Sequence, residues 1–452
     1  MKTVSREKVK KDLQFLQREL KLLRDLDHPN IIKLHETYNN GEFIHFVMEY
    51  CSGGNLMEYV LKRSFLKEEE IAKIMTKAFS AVKYLHEKGI VHRDIKADNF
   101  LFSSKSSDAE LKLIDFGLSR SIKPGEKLTT QAGTPLFIAP EVIEGKYDEK
   151  CDYWGLGVML YFFLTKHFPY DGDTVPEIAK NILKSKASFE GKQWEGVSAD
   201  AINLCKRLLE RDPAKRITAA EALGHPWIKL VTKQPKLDRT LTSNIVGSLR
   251  AFTNDRRLKR EILNVLLYYL NEKELKQLHE AFAYFDKDRS GSITVADLKS
   301  VIKENNIQVA DDELENIISK VDLDKEHNIR YSEFMLAALD SSYYLSKERL
   351  WAAFKHFDLD NSNYITTANV REVLARAGRR IPQEEINEMI KEVDANKDGK
   401  IDFQEFCKIV KFNEYKAETP KDFDMAYITK TTTLRSSQGP GKTFFQATES
   451  TI

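Results

Sequence analysis

His92-Arg93-Asp94-Ile95-Lys96-Ala97-Asp98-Asn99, followed by Asp115-Phe116-Gly117, is the stretch on which the reading of this chain turns. The second motif closes the short run Leu111-Lys112-Leu113-Ile114, which predicts a strand delivering a loop. Asp94, Asn99 and Asp115 are three oxygen-bearing side chains placed in such loops. A carboxylate and a neutral amide oxygen form a hard donor set, suited to Mg²⁺ and to the phosphates it carries.

In this order and spacing the two motifs resemble the catalytic loop and magnesium motif of the protein kinases. The resemblance runs from the first residues to about Trp227. It implies an α+β, bilobal kinase fold with ATP and Mg²⁺ as cofactors and protein hydroxyls as substrates. Phosphoryl transfer needs neutralised charge and an aimed hydroxyl more than covalent help. The resemblance therefore implies that Asp94 accepts the substrate proton, that Asn99 and Asp115 hold Mg²⁺, and that Lys96 neutralises the transferred phosphate. Lys96 also fits the Ser/Thr-specific class.

The chain has 452 residues, 42% apolar and 31% charged, with a net charge of +1. That length predicts roughly two or three domains. The small net charge gives no global field favouring nucleic acid or anionic lipid. Cys51, Cys151, Cys205 and Cys407 are scattered without metal-ligand spacing and predict reduced thiols in a cytosolic protein. No apolar run approaches membrane-spanning length, and Met1-Lys2-Thr3-Val4 reads as neither a signal peptide nor a myristoylation site. A monomer is expected.

The start departs from the kinase pattern. A small lobe opens with a Gly-rich loop and then a lysine-bearing strand, whereas the first glycine here is Gly41. Met1 to Ser5 resembles the tail of that strand. Leu13, Leu16, Leu20 and Leu23 follow at helical spacing. Lys2 reads either as the ATP-anchoring lysine paired with Glu19 or as a solvated terminal residue, and the sequence leaves both open. By resemblance, Met48 backs the adenine pocket and Glu49 to Cys51 form the hinge whose backbone holds the base. Asn55 stands where many basophilic relatives carry Glu.

Beyond Asp115 the segment to Ala139-Pro140-Glu141 is polar and marked by Pro124 and Gly125, as a mobile loop should be. Arg93 is expected to meet a phosphate or a carboxylate there, with Thr129, Thr130 and Glu126 as candidates. Thr134 is expected near the catalytic Asp94. Asp152 should cap the catalytic loop from a buried helix, and Arg216 should pair with Glu141.

From Val231 the chain turns polar. Ile245, Leu249 and Phe252 then mark one helical face, and Leu258, Ile262, Val265, Leu266 and Tyr269 another. Between them lie Arg256, Arg257, Lys259 and Arg260, the pattern of a calmodulin-target-like segment. Asp286, Asp322, Asp358 and Asp394 then recur every 36 residues (322−286, 358−322, 394−358), each opening an EF-hand-like loop. Loop 4 offers Asp394, Asn396, Asp398, Lys400, Asp402 and Glu405, with Gly399 at the turn. Loop 1 offers Asp286, Asp288, Ser290, Ser292, Thr294 and Asp297. Loop 2 has His327 in place of glycine and Arg330 at a ligand position. Loop 3 ends in Asn369, without the closing charge. Calcium is expected in loops 4 and 1, with weak or no binding in 3 and 2.

These parts together resemble the calcium-dependent protein kinases of plants, apicomplexans and ciliates. Residues 1–228 are read as the kinase domain, 229–272 as linker and autoinhibitory junction, 273–342 and 343–412 as two EF-hand pairs, and 413–452 as a disordered tail. The resemblance implies that the junction blocks the large lobe at rest and is captured by the calcium-loaded, calmodulin-like hands. The sequence reads as starting at an internal methionine, and poor ATP turnover is expected of the chain as given. The alternative is a catalytically inactive, calcium-responsive binding protein.

Overall fold

Lys2–Ser5 (β1) and Leu34–Asn39 (β2) flank Phe43–Met48 (β3) in an antiparallel sheet ordered β1-β3-β2. The helix Leu13–Asp25 (α1) stands between β1 and β2 in sequence. This computed structural model describes residues 1–5, 13–106, 109–231, 237–252, 257–270, 272–322, 325–339, 346–377, 379 and 381–410. The tail reading from 413 onward and the charge at Arg256 fall outside the described residues.

The large lobe is built on two helices. Glu68–Glu87 (α2) opens with three glutamates, favourable at the positive end of the helix dipole. It buries Ile71, Met75, Phe79, Val82 and Leu85 along one side. Lys150–Thr165 (α3) is buried almost throughout, as its apolar composition requires. Phe100–Phe102 (β4) and Leu111–Leu113 (β5) form a hairpin with Phe100 opposite Leu113. Asn99 immediately precedes β4, and Asp115 follows just after β5. Ile114 N–H donates to Asn99 O at 2.8 Å, so the hairpin brings the two motifs to one end.

Arg239–Ala251 (α4) and Arg257–Leu267 (α5) are the junction helices. Four helix pairs follow: Glu272–Phe285 (α6) and Val295–Glu304 (α7); Asp311–Val321 (α8) and Tyr331–Leu339 (α9); Lys347–Phe357 (α10) and Thr367–Arg376 (α11); Gln383–Lys391 (α12) and Phe403–Ile409 (α13). Short bridges Ile293–Ile329 and Ile365–Ile401 tie loop 1 to loop 2 and loop 3 to loop 4. The junction lies among the hands: α4 packs on α8 and α9, and α5 on α9, α10 and α12. Ile245, Leu249, Phe252, Leu258, Ile262, Val265 and Leu266 are all buried, as their spacing predicts. Each such side chain contributes about 1.5–3 kcal/mol by leaving water. Lys259 is buried too, so this part of the basic stretch is not a solvated face.

Kinase lobe and hands belong to one compact unit spanning Met1–Asn413. Asp27 accepts from both the Ser332 amide, 3.0 Å, and its hydroxyl, 2.5 Å. Ser80 Oγ donates to Arg289 O at 3.1 Å, and Lys83 Nζ lies 3.0 Å from Asp288 Oδ2. Lys88 pairs with Glu326 at 2.7 Å, and His356 with Glu36 at 3.2 Å. Burial raises the Asp27 carboxyl, but Lys33 and Ser332 outweigh it and hold the group below its ordinary range.

Candidate active site and calcium loops

The catalytic loop hangs from Asp152 on α3. Its carboxylate accepts from His92 N and Arg93 N, both at 2.8 Å, and His86 lies 2.8 Å away. These bonds allow Arg93 its left-handed backbone, φ 69°, and turn Asp94 toward the cleft. Asp94 Oδ2 sits 2.8 Å from Lys96 Nζ and accepts from Asn99 Nδ2 at 2.9 Å. Asp94 Oδ1 accepts from Thr134 Oγ1 at 2.7 Å, and Thr134 in turn accepts from Lys96 at 2.6 Å. Burial alone would raise this carboxyl, but Lys96, Thr134 and Asn99 hold it below the usual carboxylate range. It is therefore ionised at neutral pH.

Asn99 spends its amide nitrogen on Asp94 O and Oδ2, which leaves its amide oxygen outside those two bonds. Asp115 is exposed, with φ 63°, and Phe116 behind it is buried edge-on to His92. Asn55 caps the helix Leu56–Leu61 through Met57 N and Glu58 N and donates to Asp98 O at 2.9 Å. Arg216 grips Glu141 with its two terminal guanidinium nitrogens, at 2.5 and 3.0 Å.

Lys2 Nζ lies 3.1 Å from Glu19 Oε1, with the lysine side chain 46% exposed and the glutamate 10%. The pair left open by the sequence is thus formed. Met48 is half-buried. Glu49 spends its carboxylate on Lys112, 2.7 Å, and its N–H on Lys33 O, 2.9 Å. Burial pushes the Cys51 thiol up to about 12, so it is neutral at the hinge.

One expectation needs correction. Arg93 pairs with no carboxylate of the activation segment; its NH1 donates to Tyr147 OH at 3.0 Å. Tyr147 was missed because nothing in a lone tyrosine points at an arginine 54 positions away. The docking residues Asp27, Ser80 and Lys83 were missed for the same reason: the contacts join positions that no periodicity links.

The four loops divide into two kinds. In loop 4 the closing Glu405 reaches back, its Oε1 accepting from Ala395 N at 2.8 Å and Asn396 N at 3.2 Å. In loop 1 Asp297 does the same with Lys287 N at 3.3 Å. In loop 3 the closing Asn369 Oδ1 serves Thr366 instead, at 2.9 and 2.7 Å, while Lys355 sits 2.8 Å from both Asp358 Oδ2 and Asn363 Oδ1. In loop 2 Glu326 is spent on Lys88 and on Arg330, 2.6 Å. Degenerate loops thus carry side-chain cations of their own. His327 still makes the left-handed turn, φ 61°, because its N–H donates to Asp322 Oδ2 at 2.7 Å.

Comparison with known proteins covers both the kinase part and the four hands. A protein kinase domain matches residues 1–228, and an EF-hand domain pair matches 275–339 and 347–411. Calcium-dependent protein kinase 3 of Plasmodium berghei (strain Anka) is 38% identical over 417 residues, covering 91% of this chain and 75% of that protein. Calcium-dependent protein kinase 34 of Arabidopsis thaliana is 34% identical over 413 residues, covering 91% and 78%. The chain belongs to the calcium-dependent protein kinases.

A calcium-dependent protein kinase uses ATP, Mg²⁺ and Ca²⁺, and the donors present suit all three. Asn99 and Asp115 offer Mg²⁺ one neutral and one charged oxygen. Among the described residues no three Asp, Glu, His or Cys side chains converge on one point. A calcium shell in loop 1 or 4 would draw on hydroxyl, amide and main-chain oxygens beside its carboxylates, as EF-hand loops do. Burial pushes the Asp286 carboxyl up to about 8, the mark of a buried acid that a cation would stabilise.

Proposed function

We propose that this chain transfers the γ-phosphate of ATP to serine or threonine hydroxyls of proteins, and that calcium in loops 1 and 4 controls access to the site. Asp94 orients and deprotonates the hydroxyl, Lys96 neutralises the moving phosphate, and Asn99 and Asp115 hold Mg²⁺. Lys2, Glu19, Met48 and the hinge at Glu49 to Cys51 seat the nucleotide. The unpaired state of all four cysteines supports work in the reducing cytosol, and we take the chain to act as a monomer.

One observation carries the regulatory part: α4 and α5 bury their apolar faces against the hands, away from the catalytic loop. A junction held there cannot also cover the large lobe. Calcium then acts by population shift, binding more tightly to the arrangement in which the hands hold the junction. Lys259, Arg260 and the neighbouring arginines would return to the large lobe when the hands let go.

The test is transfer of labelled phosphate from ATP to Ser/Thr peptides, with calcium and with chelator. Calcium-stimulated transfer is expected, slow because no Gly-rich loop precedes Gly41, and reduced at least about 100-fold by Asp94→Asn. No transfer at either calcium level would favour an inactive calcium-responsive binding protein.

A further inference from the structure

The activation segment is tied to the large lobe by its own main-chain and side-chain hydrogen bonds. Leu128 and Tyr147 exchange main-chain hydrogen bonds at 2.7 and 3.0 Å. Gln131 Nε2 donates to Ile143 O at 2.7 Å, and Lys127 pairs with Asp148. Tyr147 OH donates to Thr130 O at 2.6 Å and accepts from Arg93 NH1 at 3.0 Å. Arg93 Nε donates to Leu118 O at 2.6 Å. One buried hydroxyl therefore joins the arginine beside the catalytic base to the middle of the segment. Glu126 turns its carboxylate to Lys123 N, 2.9 Å, and Thr129 and Thr130 are exposed.

The latch acts on the reacting end. Three residues beyond Gln131 the segment delivers Thr134, which bonds Asp94 and Lys96. Gly133 makes this possible: its φ is 121°, and an added Cβ would lie 2.8 Å from Arg93 O. Arg93, Tyr147 and Thr130 thus fix one side of the catalytic aspartate, and Thr134 the other.

We propose that Tyr147 is a positioning residue that takes the place of a phosphorylated threonine, so that the activation segment is set without modification of Thr129 or Thr130. The inference rests on the kinase reading, but its primary test does not need turnover. In the full chain after phosphatase treatment, backbone hydrogen exchange is followed over residues 127–133. Tyr147→Phe keeps the buried ring and removes the hydroxyl; exchange there should speed up about ten-fold, with the melting temperature little changed. Thr129→Ala/Thr130→Ala should leave exchange within about two-fold of the parent. Where transfer is measurable, Tyr147→Phe should lower kcat about ten-fold without raising KM for ATP. Unchanged exchange in Tyr147→Phe overturns the proposal, as does loss of protection in the threonine double variant or on phosphatase treatment. Failure of phosphoryl transfer with the exchange pattern intact counts against the kinase reading alone.

Discussion

Loops 1 and 4 share a coordination chemistry and differ in what lies outside it. Gly291 and Gly399 occupy the same loop position with φ 83° and 80°. An added Cβ at Gly291 would lie 2.2 Å from His28 Cδ2 of the kinase lobe, whereas at Gly399 it would meet nothing within 4 Å. Asp288 pairs with Lys83, while Asn396, Asp398 and Lys400 face solvent. An ion proposed for loop 4 would therefore bind clear of the catalytic lobe. An ion proposed for loop 1 would bind under contact with that lobe, and by reciprocity whatever docking does to its affinity, calcium would do to docking. Two oxygen-rich loops thus sit in unequal surroundings, one clear of the catalytic lobe and one against it.

The largest effect expected from this difference concerns the glycines. Gly291→Ala combines left-handed strain with overpacking against His28 and should cost about 3 kcal/mol of stability. Gly399→Ala should cost only about 1–2 kcal/mol, from backbone strain alone. Thermal unfolding measures both, and equal losses would remove the distinction. Next, Glu405→Gln should weaken the loop 4 calcium site about 100-fold by calorimetry while loop 1 keeps its own heat. A joint loss would mean that the two loops are not separate.

A pH series gives a smaller effect. Burial first, and Lys112 second, drag the His28 imidazole down to about 3. Its Nδ1 accepts from Asn30 N and its Nε2 donates to Ser80, the pattern of a neutral ring. An unfolded chain protonates this histidine near pH 6.5, so below that pH the unfolded state binds more protons. The stabilisation is whole above pH 6.5 and declines as pH falls toward 3, by about 2 kcal/mol at pH 5. Asp27, Glu110, Lys112 and Lys83 are the charged neighbours acting on it. A melting temperature that does not change between pH 7 and 5 would contradict this. The smallest effect is that of Lys83→Met, which removes a partly exposed ion pair and should lower stability by about 1 kcal/mol without moving the affinity of loop 4.

Much of this was readable from residue order. The 36-residue repeat, the junction faces at Ile245–Phe252 and Leu258–Leu266, and the paired catalytic motifs are local patterns that secondary structure preserves. The expected weakness of loops 2 and 3 rested on one or two residues each. Arg330 was exposed by its place inside loop 2, and the structure adds Lys355, which reaches loop 3 from the preceding helix. What spacing could not give is contact between distant segments: Asp27 with Ser332, Lys83 with Asp288, Arg93 with Tyr147. Hydrogen bonds across folded surfaces leave no period in the chain, and so the residues joining sensor to catalyst remained hidden.

The central claim is that calcium moves the junction between the hands and the large lobe. Spin labels at Ser243→Cys on α4 and Lys192→Cys on the large lobe report that distance by pulsed electron resonance. The account predicts one dominant separation with calcium and a shift to a different one with chelator, reversed on adding calcium back. The same distance distribution in both conditions would contradict it.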